Sequence, residues 1–204
     1  MLHLRGYDHR VTLAERKRQL VRDELTEAAL KLLAFQGFEE TTIDQIVAAA
    51  GVSRRTFFRY FRSKEDVIIE FLGHLGTKLH DALASRPAKE PPAVALRHAL
   101  SIFTATYHEH PEKSIRLARL TLGTPSLLAR YLERQTEWRA DLTAVLAQRM
   151  KLDPATDLRP ALTVAVAFAA FDTALSAWVH GDGAENLNDL VDRAFTFAAL
   201  LGSR

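Results

Sequence analysis

The sequence predicts an all-α fold of about nine helices, and three observations lead there. Apolar residues recur three and four apart through most of the 204 residues, which is the period of an amphipathic helix. No stretch alternates apolar and polar residues between hairpin turns, as a half-buried strand would. Glycines and prolines mark most of the places where the helical period breaks, and so read as helix ends.

Taken in order, residues 1–12 carry His3, Arg5, His9 and Arg10 with little periodicity and are expected to form a flexible arm. They lack the long apolar core of a secretion signal. Thr12 with Glu15 three residues on reads as a capping box, opening a first helix to about Gln36 with Leu20, Leu25, Ala28, Ala29, Leu32 and Phe35 towards one side. Gly37 ends it, and Phe38 is expected to plug the core of the N-terminal region. Thr42 and Gln45 make a second capping box, and Ile43, Ile46, Val47 and Ala50 give a short helix stopped by Gly51. Ser53 caps a third helix to about Tyr60. Phe57 and Phe61, four apart, face its core, while Arg54, Arg55, Phe58, Arg59 and Arg62 fall on the remaining surface.

Ser63 and Asp66 suggest a variant capping box for a longer helix to about Ala84, through Val67, Ile68, Phe71, Leu75, Leu79 and Leu83. The run from Arg86 to Pro92, with three prolines, breaks the chain. Five more helices are expected: about Ala93 to His110, Pro111 to Leu122, Ser126 to Met150, residues 157–180 and residues 187–201. The apolar run Ala161 to Val179 nearly has the length of a membrane span, but Asp172 within it and its alanine-rich composition favour a buried bundle helix.

Two short helices joined by a glycine turn, the second with an exposed basic face, make a helix-turn-helix. From Gly51 to Lys64 there are five basic residues and no acidic one. A solvated basic face is the plainer reading of such a cluster; the caps, the turn glycine and the aromatic anchors beside it favour DNA. Net charge is only +2, yet residues 1–64 hold 12 Lys and Arg against 8 Asp and Glu, while the remainder holds 15 against 17. The basic excess sits in the N-terminal region, as an electrostatic footprint for phosphate would.

The motif Phe38, Thr41-Thr42-Ile43, Ile46, Ala50-Gly51-Val52-Ser53, Thr56, Phe58, Tyr60-Phe61 and Lys64-Glu65 resembles the N-terminal signature of the TetR family of bacterial transcriptional regulators. The resemblance covers about residues 20–70. It implies a DNA-binding domain at residues 13–64 and a ligand-binding and dimerisation domain at residues 65–204. The implied DNA-contacting residues are Thr42, Ser53, Arg54, Arg55, Thr56, Arg59, Tyr60 and Lys64, the last two towards the phosphate backbone. Asp44 stands where many members carry a basic residue, and Phe58 replaces a frequent tyrosine.

The resemblance also implies a homodimer on double-stranded DNA, a cytoplasmic location and a small-molecule effector, with no cofactor and no membrane. Repression is the family default, the effector being a small hydrophobic or acyl-type ligand. The RRTFFRYF variant looks most like members associated with acyl-CoA-type ligands. Candidates for the pocket are Phe103, Tyr107, Trp138, Phe168 and Asp172, with Arg116 and Arg119 as partners for an anionic group. The dimer surface is expected from the last two helices: Ala165, Ala169, Phe171, Leu175 and Trp178, facing Leu187, Leu190, Val191, Ala194, Phe195 and Ala198. Aromatics and stripes of this kind would equally serve as intramolecular core.

Other classes fit less well. There is no cysteine, hence no disulfide, thiolate metal site or cysteine nucleophile. No nucleophile elbow, phosphate-binding loop or zinc-protease motif is present, so an enzyme is not expected. His108-Glu109-His110 invites a metal reading, but residues two apart on a helix point to different sides. A helical scaffold or small-molecule-binding protein without specific DNA binding would explain the C-terminal region equally well, but not the capped, arginine-rich N-terminal one.

Overall fold

The computed structural model describes residues 12–201; the expected arm lies outside them except for Thr12. The described residues form nine α-helices and no strand: α1 (Leu13–Gln36), α2 (Ile43–Ala49), α3 (Arg54–Tyr60), α4 (Lys64–Ala84), α5 (Pro92–Glu109), α6 (Pro111–Gly123), α7 (Pro125–Met150), α8 (Arg159–His180) and α9 (Leu187–Leu201). The all-α architecture and each helix position agree with the sequence reading to within a few residues.

Local chemistry sets the helix starts. Thr12 and Thr42 close reciprocal capping boxes with Glu15 and Gln45, each satisfying two backbone N–H groups that the helix itself cannot. Ser63 caps α4 by accepting from the Asp66 N–H at 3.3 Å. The Asp66 carboxylate accepts instead from the Arg62 N–H at 2.8 Å, so this box is only half formed. Proline is the first residue of α5, α6 and α7, where its fixed φ is pre-set and its missing N–H costs nothing.

Two hydrophobic cores share α1 and α4. The smaller holds Leu25, Ala29, Ile46, Val47, Phe57, Phe61 and Val67, and it knits α1, α2 and α3 to the first turn of α4. The larger collects Leu30 and Leu33 from α1, Ile68 onward from α4, and the apolar faces of α5 to α9. Phe38, expected in the small core, packs in the large one, because the turn after Gly37 carries it towards α4. Leu20 and Phe35 also depart from expectation, at 61% and 50% exposure. The buried stripe of α1 runs through Leu25, Ala29 and Leu33, and at about 100° per residue those two fall on the far side of the helix from it.

In the larger body, α5 packs on α4, α6, α8 and α9, while α7 lies against α4, α6 and α8. Helices α8 and α9 pack together after a turn in which Asp182 and Gly183 both take positive φ. By length and composition α8 could cross a membrane. Here Val164, Ala167, Phe168, Phe171, Ala174, Leu175 and Trp178 bury it in the body's core, and Asp172 joins a polar network with α7.

Candidate nucleic-acid interface and effector cavity

The geometry of α3 begins at the turn before it. Gly51 adopts φ 63°, a left-handed conformation that glycine takes without a Cβ penalty. The Val52 N–H then donates to the Val47 carbonyl at 3.0 Å, completing a helix-ending motif that reverses the chain. Ser53 accepts from the Thr56 N–H at 3.1 Å, and the two hydroxyls lie 3.0 Å apart. From this start Phe57 is fully buried, with Phe61 and Phe58 in ring contact at 5.5 and 5.4 Å. The anchor leaves Arg54, Arg55 and Arg59 exposed and Thr56 and Tyr60 half-exposed.

Four of the expected contact residues, Arg54, Arg59, Tyr60 and Lys64, have partners that the sequence did not disclose. Asp44 on α2 receives the Arg54 guanidinium at 3.1 Å, so the acidic departure from the family pattern holds one of the two arginines at the start of α3. Arg59 stacks on Tyr60, its guanidinium 5.0 Å from the ring centre, and donates to the phenol oxygen at 3.3 Å. Lys64 differs most from expectation. Its ammonium lies over the Phe38 ring at 4.1 Å and donates to the carbonyls of Phe38 and Thr41, the latter at 3.2 Å. That geometry ties the loop between α1 and α2 to α4 rather than presenting the charge outward.

In the body, an interior cavity of about 70 Å³ lies among α1, α4, α5, α6, α7 and α8. Phe103, Tyr107 and Trp138 line it as expected, together with Phe71, Tyr131 and Phe171. The hydroxyl-bearing residues of the lining are Thr106, Tyr107, Ser114, Thr121 and Tyr131. Trp138 can lie against α4 because residue 76 is glycine: a Cβ there would stand 2.2 Å from the indole Nε1. Burial pushes the Tyr107 phenol up to about 12. Burial, with the Asp172 carboxylate second, raises that of Tyr131 well above its ordinary value.

The remaining pocket candidates are corrected. Phe168 is buried in the core with the Arg139 guanidinium 5.0 Å over its ring, and it does not line the cavity. Asp172 stands one layer behind the wall. It accepts from Gln135 at 2.7 Å, from Arg139 at 3.2 Å and from the Tyr131 hydroxyl at 3.4 Å. Its pKa is raised by burial, with those donors opposing the rise. Arg116 and Arg119 lie exposed on the outer side of α6, Arg116 over the Phe35 ring and Arg119 paired with Asp182. Neither reaches the cavity.

A cleft between α1 and α6 adjoins the cavity, sharing Leu30, Phe71, Thr106, Ser114 and Leu117 with it. Asp23, Thr26, Glu27, His110 and Lys113 complete its lining, and Lys113 crosses it to pair with Glu27 at 2.5 Å. No sequence signal pointed here, because its two walls are 86 residues apart along the chain.

The expected dimer surface is only partly a surface. Phe171, Leu175, Trp178, Leu187, Leu190 and Val191 are buried in the protomer's own core, so they have no area left for a second copy. Ala165 and Ala169 are exposed, and Ala194, Phe195 and Ala198 are half-buried. Leu162, Val166 and Phe197, unremarked in the sequence, add exposed apolar area on the same two helices. Among the described residues no group of three potential ligands gathers to hold a metal.

A three-helix head with a capped, arginine-faced second motif helix, carried on a helical body with an internal cavity, defines a helix-turn-helix transcription regulator. Residues 25–71 match the bacterial regulatory proteins of the tetR family, and residues 90–200, more than half the chain, match the MftR C-terminal domain. The transcriptional regulator TcmR of Streptomyces glaucescens is 36% identical over 160 residues, 76% of this chain and 71% of that one. MftR of Mycobacterium tuberculosis is 30% identical over 183 residues, 88% and 90% of the two chains. The structure of FadR from Bacillus subtilis in complex with stearoyl-CoA shares the fold, with a TM-score of 0.59 at 20% identity over 86% of this chain and 96% of that one. The chain belongs to the TetR family of bacterial regulatory proteins, and it is a regulator rather than an enzyme.

Proposed function

We propose that two copies of the chain bind a palindromic operator and repress transcription until a small apolar effector fills the body cavity. The observation that carries this reading is the exposed arginine face of α3, held rigid by Phe57 and Phe61 beneath it. In each copy α3 enters a major groove, where Arg54, Arg55 and Thr56 reach base edges. Thr42, Ser53, Arg59 and Tyr60 face phosphates. Arg54 must exchange Asp44 for a guanine or hold both, which makes Asp44 a brake on non-specific attraction. One head buries too little surface for tight specific binding, so pairing through α8 and α9 sets two heads about one helical turn of DNA apart.

The effector acts by population shift, binding better to the conformer whose heads no longer match successive grooves. Helix α4 is the natural carrier. Ile68, Phe71, Leu72 and Leu75 wall the cavity, while Val67, one residue before them, sits in the head's core. The aromatic lining of the cavity supports an apolar effector.

Fluorescence anisotropy on the DNA flanking the chain's own gene, against a scrambled duplex, tests the reading. Arg55→Ala is expected to cost about 1–3 kcal/mol on the specific duplex and much less on the scrambled one, with affinity falling steeply as salt rises. Equal affinity for both duplexes, indifferent to Arg55→Ala, would leave the helical-scaffold alternative standing.

A further inference from the structure

The charge pattern of the cavity and its cleft selects among ligands. No Asp, Glu, Lys, Arg or His lies on the cavity wall, which is built of aromatic and aliphatic residues with Thr106, Tyr107, Ser114, Thr121 and Tyr131 among them; the Thr106 hydroxyl is already given to the Ile102 carbonyl. Asp172, partly buried behind Tyr131, is a carboxylate and is already held by Gln135 and Arg139. An anion placed in this cavity would give up its hydration without a counter-charge, a loss that burial makes severe.

The cleft extends the same bias. Asp23 and Glu27 face the cleft, where the lining cation among the described residues, Lys113, is already paired with Glu27 at 2.5 Å. His110 also faces it from the start of α6. A thioester whose chain lay in the cavity would have to leave a phosphate-rich headgroup at a mouth of this kind, beside carboxylates and with no unengaged ammonium to meet it.

Resting on the effector reading above, we infer that the ligand is an uncharged apolar molecule bearing a carbonyl or ether oxygen, and not a carboxylate, a phosphate or a coenzyme A thioester. Its oxygen accepts from the Tyr131 hydroxyl, whose existing bond to Asp172 is long at 3.4 Å and so is given up at little cost when a shorter one forms. The buried phenols of Tyr107 and Tyr131 stay protonated at any physiological pH, so both remain donors. The ring faces of Phe71, Phe103 and Trp138 take the apolar part.

The test uses probes of matched shape: naphthalene, acetylnaphthalene and naphthoate, with dodecan-1-ol against dodecanoyl-CoA. Binding is read by quenching of tryptophan fluorescence, since Trp138 lines the cavity, and release from DNA by anisotropy. Acetylnaphthalene is expected to bind at least about tenfold more tightly than naphthoate, and dodecan-1-ol more tightly than dodecanoyl-CoA, tenfold being about 1.4 kcal/mol. Tyr131→Phe should weaken acetylnaphthalene by about three- to tenfold and leave naphthalene unchanged, as loss of one hydrogen bond does. If the carboxylate or the thioester binds as tightly as its neutral counterpart and lifts the protein from DNA, the effector reading stands and the assignment of ligand class fails. If no probe quenches fluorescence or releases DNA, both fall together.

Discussion

Lys64 shows how a single side chain can hold a motif's place in sequence while doing something else in space. Its ammonium meets carbonyls 23 and 26 residues away, so Lys64→Ala removes charge-assisted hydrogen bonds and a cation–π contact inside the head. The expected result is a loss of about 1–2 kcal/mol of stability, seen as a lower Tm. The salt slope of DNA binding should stay close to that of the unaltered protein, whereas a phosphate-contacting lysine would reduce it by about one. The caps were legible because they obey an i, i+3 rule within one strip of chain; the partners of Lys64 and the Asp44–Arg54 pair required the fold. The buried phenols give a second test. Each is raised above its ordinary value by burial of the neutral form, so the stability it contributes is complete below about pH 10 and is lost as pH climbs through the folded-state value, about 12 for Tyr107. Spectrophotometric titration of the four tyrosines should therefore show Tyr107 and Tyr131 ionising late, with unfolding rather than before it.

At the level of helices, the boundaries were readable and the rotational settings less so. Gly and Pro punctuation located most of the helix ends because those residues act on their own backbone. Which face of α1 turns inward depends on α4 and α6 packing against it, and this tertiary demand moved Leu20 and Phe35 outside. The cavity shows the same division. Phe103, Tyr107 and Trp138 were candidates because the family resemblance implied a pocket, while the shares of α4 and α6 were not, since spacing does not tell a lining residue from a packed one. Gly76 is the element-scale feature with the sharpest consequence. Gly76→Ala would set a methyl into the space of the Trp138 indole, and overpacking of this kind costs about 1–3 kcal/mol. The variant should melt earlier and show a shifted tryptophan emission. Gly73→Ala, where a Cβ meets nothing within 4 Å, should do neither, although it lies one turn away on the same helix.

At the scale of the whole molecule, the proposed pairing needs a surface that holds two heads in register. The exposed apolar area on α8 and α9 is what a second copy would cover: Val166 is 42% and Phe197 66% exposed, and neither takes part in the protomer's own core. Phe197→Glu should therefore leave the fold intact while converting a dimer to a monomer in sedimentation velocity at micromolar concentration. Operator affinity should fall by at least about a hundredfold, because one head then reads a half-site alone. A dimer that persists in both Val166→Glu and Phe197→Glu would place the pairing surface elsewhere.

The two cores that share α1 and α4 set a rule for building chimeras in this family. A head excised after residue 64 would lose Val67 from its own core and expose Leu30, Leu33 and Phe38, which belong to the body. Grafted onto a foreign body, such a piece would bring a new operator preference and an ill-fitting seam together. A junction placed in the proline-bearing turn between α4 and α5 would instead transplant the whole of α4, so that the DNA preference travels with the helix that walls the body cavity.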